Sequence, residues 1–229
     1  MSLSLTWIGH ATVAMNIGGY TVMVDPFLEE NPATEETVES VHADYILVSH
    51  GHNDHIADAV ALAKKNNAPI ITTLEVARWL DGQGVQTHGL NLGGQLEMPF
   101  GKVKLTVAMH GSQMPDGSYG GCAVGFLLTS PRGRKIYIAC DTALFGDMSL
   151  IGEEGLDLAV LPIGDYFTMG PDDALRAVKL LQPKQVMPYH YGTWDTIQQD
   201  PDAWAKRVSS ETEATVHVLT PGDTLSLVE

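Results

Sequence analysis

The chain has little cysteine and little positive charge. Two cysteines, Cys122 and Cys140, stand among 229 residues, both in apolar contexts. That leaves no disulfide framework and fits a reducing cytoplasm. Lys and Arg number 13 against 28 Asp and Glu, a formal net charge of −15. The cations are scattered along the sequence. A surface this acidic repels phosphate backbones, which argues against nonspecific nucleic-acid binding. No apolar run reaches the roughly 20 residues of a membrane span. The N-terminus lacks both the basic segment and the long apolar stretch of a secretory signal. No Pro-, Gly- or Ser-rich linker divides the chain, and no repeat recurs at residue level. The expectation is one cytoplasmic globular domain over residues 1–229. With 44% apolar and 18% charged residues, a chain of this length buries about 70–75% of its unfolded surface without cross-links.

Hydrophobic periodicity orders the chain. Leu3, Leu5 and Trp7 alternate with Ser4 and Thr6, the signature of a half-buried strand. Ala11 to Ile17 and Tyr20 to Val24 flank Gly18-Gly19, a hairpin turn. A buried strand is predicted at Tyr45 to Val48 and a helix from about Asp54 to Asn66. A strand (Ile70 to Thr72), a helix (Leu74 to Leu80) and a strand near Val85 follow. Residues 95–140 revert to strands, with Leu105, Val107 and Met109 alternating, and Val124 to Leu128 and Lys135 to Cys140 around a Pro131-Arg132-Gly133 turn. Leu156 to Leu161 reads as a buried strand. Pro171 opens a helix to about Gln182, stopped by Pro183. Gln185 to Met187 is a strand, Asp200 and Pro201 start a helix carrying Trp204 and Val208, and Thr215 to Leu219 and Thr224 to Leu227 close the chain. Strands, αβ units, strands and αβ units in that order suggest two sheets face to face with helices outside.

Three of the nine histidines fall in His50-Gly51-His52-Asn53-Asp54-His55, directly after an apolar strand. Neutral imidazole and carboxylate are preferred ligands for zinc-like ions. His50 and His52, two apart in extended backbone, point the same way at one ion. Asp54 and His55, displaced onto a helix start, can serve a second. Six residues cannot close two sites. His110, Asp141 and His190 share the same context, a buried strand running into a loop, and are the candidates to complete them.

This arrangement resembles the metallo-β-lactamase superfamily: His-x-His-x-Asp-His after a strand, then a His, an Asp and a His at successive strand ends. Gly9-His10-Ala11-Thr12 leading to Asp25-Pro26, Phe167-Thr168-Met169-Gly170-Pro171, and His190-Tyr191-Gly192-Thr193 narrow the likeness. They point to a bacterial and archaeal branch of metal-dependent hydrolases related to ascorbate-6-phosphate lactonase and, more distantly, to N-acyl-phosphatidylethanolamine phospholipase D. The resemblance implies an α/β fold, a four-layer αββα sandwich of two mixed sheets, with the site at one edge between them. It implies two divalent ions per chain, zinc by default, with manganese, iron or nickel compatible. His50, His52 and His110 would hold one ion, Asp54, His55 and His190 the other, and Asp141 would bridge them. The oxygen-reducing di-iron members usually carry Glu where His52 stands, so the resemblance favours hydrolysis. A hydroxide between two ions would attack a small ester, lactone or phosphodiester, with Asp54 a candidate to return the proton. The expected partner is a small-molecule substrate, with no nucleic acid, no membrane and room for a homo-oligomer. Two other readings stand beside this one. A nucleic-acid-processing phosphodiesterase would add a basic arm or an inserted domain, and this compact acidic chain has no room for the latter. A metal-binding module without catalysis is opposed by the intact ligand set.

Other residues carry paired readings. His10 either hydrogen-bonds a ligand or substrate, as a catalytic participant, or is a buried structural histidine. Asp25 either orients a ligating histidine or caps the turn before Pro26. Tyr166, Phe167 and Met169, like Tyr191 and Trp194, either line a substrate pocket or pack under neighbouring elements. His42, His88 and His217 read as surface or strand-face residues and Cys140 as core. The run Gly117 to Gly121 lacks the order and the lysine of a phosphate-binding loop.

Overall fold

A computed structural model describes residues 3–227; residues 1, 2, 228 and 229 of the expected 1–229 domain lie outside the described part. Strands β1 (Leu3–Gly9), β2 (Thr12–Ile17) and β3 (Tyr20–Val24) form an antiparallel meander. Gly18 and Gly19 turn its second hairpin with φ of 63° and 88°, the pair of positive angles such a turn requires. Strands β4 (Tyr45–Leu47), β5 (Ile70–Thr73) and β6 (Thr87–Leu90) continue in parallel. Helices α1 (Asn53–Ile56), α2 (Ala59–Asn66) and α3 (Leu74–Asp81) make the crossovers.

The second half is built the same way. Strands β7 (Gln95–Met98), β8 (Gly101–Val107), β9 (Val124–Thr129) and β10 (Lys135–Ile138) run antiparallel. Strands β11 (Leu158–Pro162), β12 (Gln185–Tyr189) and β13 (Thr215–Val216) follow in parallel. They are joined through α4 (Met148–Gly152), α5 (Pro171–Leu181) and α6 (Pro201–Glu211). Strand β14 (Thr224–Leu227) crosses back to pair with β1. The two seven-stranded sheets are ordered β14-β1-β2-β3-β4-β5-β6 and β13-β12-β11-β10-β9-β8-β7.

Strand alternation explains the layering. Val22 and Val24 face the core between the sheets, while Met23 faces α2 and α3 with Ile46, Ile70, Leu62 and Leu80. Ile136 and Ile138 join the inter-sheet core, while Tyr137 turns out to meet Val178, Leu181 and Trp204 of α5 and α6. Both sheets are apolar on both faces, so helices must cover the outer ones. The αββα sandwich follows, each buried large side chain contributing about 1.5–3 kcal/mol.

Several elements depart from the sequence reading. The helix expected over Asp54 to Asn66 is two. Asp58 breaks it: its carboxylate accepts the N–H groups of Leu28 (2.6 Å) and Glu29 (3.2 Å), and its own N–H donates to Pro26 O at 3.1 Å. That contact docks the connection after β3 onto the helical crossover. The strand expected through Met109 ends at Val107, and the one expected through Cys140 ends at Ile138. Met109 N–H instead donates to Thr142 Oγ1 at 2.9 Å, and Ala143 N–H to Met109 O at 3.1 Å. His110 and Asp141 therefore stand in two loops laced together beyond their strands. The strand expected near Val85 lies at Thr87–Leu90; α4 was not anticipated. Asp200 does cap α6, its side chain accepting Ala203 N–H at 2.9 Å with Pro201 at the first position.

Candidate metal centre

Asp54 and His55 sit on α1, whereas at four other strand ends around the site the backbone turns through a left-handed residue. His10 follows β1 at φ 53°, Asp25 follows β3 at 47°, His190 follows β12 at 54°, and Cys140, just before Asp141, lies at 52°. A left-handed residue costs an L-amino acid on the order of 1–2 kcal/mol, and Asp and His tolerate it best. Such strain gathered at one edge of a fold is a mark of function. The edge is also stitched across the two sheets. His190 N–H donates to His10 O at 3.1 Å, and Val124 N–H to Ser49 O at 3.2 Å.

Three imidazoles converge first. His50 Nε2 lies 2.9 Å from His52 Nδ1, and His110 Nε2 lies 3.3 Å from the same nitrogen. Burial holds all three below the ordinary histidine pKa, His50 furthest, so they are neutral. The tautomer of His50 follows from its neighbours. Ser49 Oγ donates to Asp25 Oδ2 at 2.6 Å and therefore accepts from His50 Nδ1 at 2.9 Å. His50 Nε2 is thus a bare lone pair aimed at the cluster.

The second group is His55, Asp54 and His190. His55 Nδ1 donates to Asp25 Oδ2 at 2.9 Å, turning Nε2 inward. That nitrogen lies 3.7 Å from Asp54 Oδ2 and 3.4 Å from Asp141 Oδ2. Asp141 reaches both groups, with Oδ1 3.1 Å from His190 Nε2 and Oδ2 3.5 Å from His110 Nε2. Burial opposes charge on His55, yet Asp141 and Asp54 raise its proton affinity well above the ordinary value. Burial would likewise keep Asp141 and Asp54 protonated. His190 and His55 hold Asp141 far below the carboxylate range, and His55 and His10 do the same for Asp54. A field that draws a second proton onto His55 Nε2 draws a metal cation equally.

The residues fit a metal centre. His55 Nε2, Asp141 Oδ1 and both ring nitrogens of His190 are buried without a hydrogen-bond partner. Such atoms cost about 1–3 kcal/mol each when left unpaired. The donor set is imidazole and carboxylate with no sulfur, which suits zinc, manganese, iron or nickel. Ligand-bearing atoms of His50, His52 and His110 lie within 4.8 Å of one another, as do those of His10, Asp54, His55 and His190.

His10 differs from its neighbours because both its nitrogens are engaged. Nε2 meets Asp54 Oδ2 at 3.0 Å and Nδ1 meets Thr193 Oγ1 at 2.9 Å. Burial and the adjacent His190 lower its pKa to about 4. An ionised Asp54 only accepts, so neutral His10 donates from Nε2 and accepts the Thr193 hydroxyl at Nδ1.

A cleft of about 690 Å³ opens over this cluster, lined by His52, Asp54, His110 and Asp141 together with Phe27, Phe167 and Trp194. Of the five residues considered for substrate contact, Phe167 and Trp194 line it. Tyr166 is exposed and meets Phe167 edge to face with ring centroids 4.7 Å apart. The other two are corrections. Met169 is buried in the core beneath α5, and Tyr191 packs on Trp7 at 5.3 Å. His42 and His88 are exposed, His217 bonds Gln185 at 2.8 Å, and Cys140 lies in the inter-sheet core. Sequence reasoning gave no role to Ser49, a single hydroxyl beside His50, or to Thr193, which appeared only as the end of the stretch that His190 opens. It also missed Phe27 and Glu30, both on the cleft.

The model for a beta-lactamase superfamily domain matches residues 20–191. A UPF0173 metal-dependent hydrolase of Thermus thermophilus is 46% identical over 225 residues, covering 98% of this chain and 99% of that one. Its counterpart in Pelotomaculum thermopropionicum is 45% identical, covering 98% and 100%. Among solved structures, Igni18, a metallo hydrolase of the archaeon Ignicoccus hospitalis, superimposes with a TM-score of 0.91 at 33% identity over 100% of both chains. Fold, matched residues and relatives agree along nearly the whole length: the chain belongs to the metallo-β-lactamase superfamily, among its metal-dependent hydrolases.

Proposed function

We propose that the protein holds two divalent metal ions and hydrolyses a small ester, lactone or phosphodiester in the cytoplasm. The observation that carries this reading is the set of buried, unpaired ring nitrogens, with the unpaired Oδ1 of Asp141, converging beneath an open cleft. His50, His52 and His110 would hold one ion, Asp54, His55 and His190 the other, with Asp141 shared. Ions held there would lower the pKa of water towards about 7 and polarise the electrophile.

The chain's own groups do the rest. Asp25 fixes the ring of His55 directly and that of His50 through Ser49, so that each presents Nε2. Asp54, ionised and lining the cleft, is a proton acceptor there. His10 keeps Asp54 Oδ2 hydrogen-bonded, which orients the carboxylate. Phe27, Phe167 and Trp194 line the cleft and offer apolar surface to a bound substrate. Among the described residues, no helix is long and apolar enough to cross a membrane.

The test pairs composition with turnover. Elemental analysis of protein purified without added metal should find two metal equivalents. The loaded protein should hydrolyse at least one member of an ester, lactone and phosphodiester panel, and chelation should abolish it. Full metal loading with no hydrolysis anywhere in the panel would favour a metal-binding module.

A further inference from the structure

The 13 Lys and Arg residues look scattered in the sequence, but the fold sorts them. Six connections lead from strand ends at the site edge: residues 25–44, 48–58, 108–123, 139–147, 163–170 and 190–200. No Lys or Arg lies in any of them, while they hold more than half of the 28 Asp and Glu. The cations sit instead on helices and around the opposite edge, as in Arg134 and Lys184 about Asp157 and Lys135 about Glu154. The cleft repeats this locally. Its only ionisable residues besides the metal-binding candidates is Glu30, exposed at the rim.

The same cleft gathers large apolar side chains. Phe167 is 53% exposed and Trp194 38%, although residues of this type are ordinarily buried. Trp194 lies against His10 (4.7 Å between ring centroids) and Phe27 (6.3 Å), so its ring is held in place by packing. Phe167 is backed by Tyr166. Isolated exposed aromatics are unremarkable, but several around one concave site mark a binding surface.

We propose that the cleft takes an uncharged ester or lactone bearing a flat apolar group, and that the acidic rim turns away substrates carrying a carboxylate or phosphate remote from the scissile bond. This rests on the hydrolase reading above and narrows it. The charge at the reacting bond is the business of the ions. Away from them, the residues lining the cleft offer an anionic group one carboxylate, Glu30, and no guanidinium or ammonium to pair with. A planar apolar group finds Phe167 and Trp194, where stacking and burial change affinity by roughly ten-fold.

Two hydroxamates with one metal-binding head and different tails separate these effects without turnover. Phenylacetohydroxamate is neutral and aromatic in its tail; succinic monohydroxamate ends in a carboxylate. Calorimetry on the zinc-loaded protein should show the first binding at least about ten-fold tighter at low salt, the gap narrowing as salt screens the rim. Phe167→Ala and Trp194→Ala should each weaken the aromatic ligand several-fold and leave the succinic one nearly unchanged. Glu30→Gln should narrow the gap. Equal or tighter binding of the succinic ligand, or no binding of either, overturns the proposal. Turnover is then read on p-nitrophenyl phenylacetate, p-nitrophenyl butyrate and p-nitrophenyl hemisuccinate, with the neutral esters expected to be faster. A tail preference in binding without hydrolysis of any ester sinks the hydrolase reading and leaves the specificity of the cleft standing.

Discussion

Asp25 Oδ2 accepts the Nδ1 proton of His55 at 2.9 Å, with both side chains fully buried. The same oxygen takes the Ser49 hydroxyl that orients His50, and Oδ1 takes Ser49 N–H at 2.7 Å. One carboxylate therefore sets the rings of two histidines, His50 and His55, which the proposed function assigns to different ions. Asp25→Ala should weaken both ions, by about 10–100-fold in affinity, the usual effect of removing a group that orients a ligand. Ser49→Ala should weaken chiefly the ion held by His50. Chelator competition measures both. If Asp25→Ala left affinity unchanged while folding remained intact, the turn-capping reading of Asp25 would be correct.

Asp141 is placed to be shared, since Oδ1 approaches His190 and Oδ2 approaches His55 and His110. Asp141→Ala should lower metal content at both positions, whereas His190→Ala should mainly lower one. Anomalous scattering above each metal's absorption edge counts the ions directly. An Asp141→Ala protein retaining two ions and full hydrolysis would remove the bridging role.

The candidate metal cluster was legible as a cluster because such chemistry needs rare residue types at fixed spacing. His50, His52, Asp54 and His55 announce themselves locally, and His110, Asp141 and His190 share one strand-to-loop context. The layering was legible from strands apolar on both faces, as in Tyr45 to Leu47 and Leu158 to Pro162. What escaped was set by tertiary contact. Asp58 could equally have stayed in a helix; only its capture of Leu28 and Glu29 N–H breaks it. Met169 and Trp194 carry the same kind of apolar signal, yet one is buried beneath α5 and the other opens onto the cleft. No periodicity separates a core residue from a pocket residue when both lie in loops.

Far from the site, Asp157 accepts from Lys184 Nζ (2.8 Å), Arg134 (2.9 Å) and Lys135 N–H (2.9 Å). Burial alone would raise its pKa, but these partners overcome it and hold it below the ordinary carboxylate value. The sign follows: the folded state binds this proton less readily than the unfolded chain. Its contribution is present above the unfolded pKa of about 3.9 and fades as pH falls through the folded value. Asp157→Asn should lose about 1–2 kcal/mol at pH 7, given its hydrogen bonds to charged donors. The difference from the parent should shrink towards pH 3. Urea unfolding of both proteins at the two pH values measures it, and a difference independent of pH would mean that packing rather than charge is responsible.

His10 sits among four groups that can hold an ion, yet both of its nitrogens are already occupied, one by Asp54 and one by Thr193. The neighbouring His55 and His190 differ in having Nε2 unpaired. His10 should accordingly be a positioning residue for Asp54 rather than a ligand. His10→Ala should leave two ions bound, with affinity for the Asp54 ion reduced by about 10–100-fold, and should lower turnover further because Asp54 is free to rotate. Thr193→Val, which removes only the hydroxyl that fixes the ring, should reproduce a smaller part of the same effect. Thr193→Ser, which restores the hydroxyl, should recover it. The readouts are metal stoichiometry, chelator competition and hydrolysis, measured side by side on the three variants. Direct bonding of His10 Nε2 to an ion in a metal-loaded crystal would show that it belongs to the ligand set. Loss of folding in His10→Ala, with Thr193→Val indistinguishable from the parent, would instead leave it a core histidine.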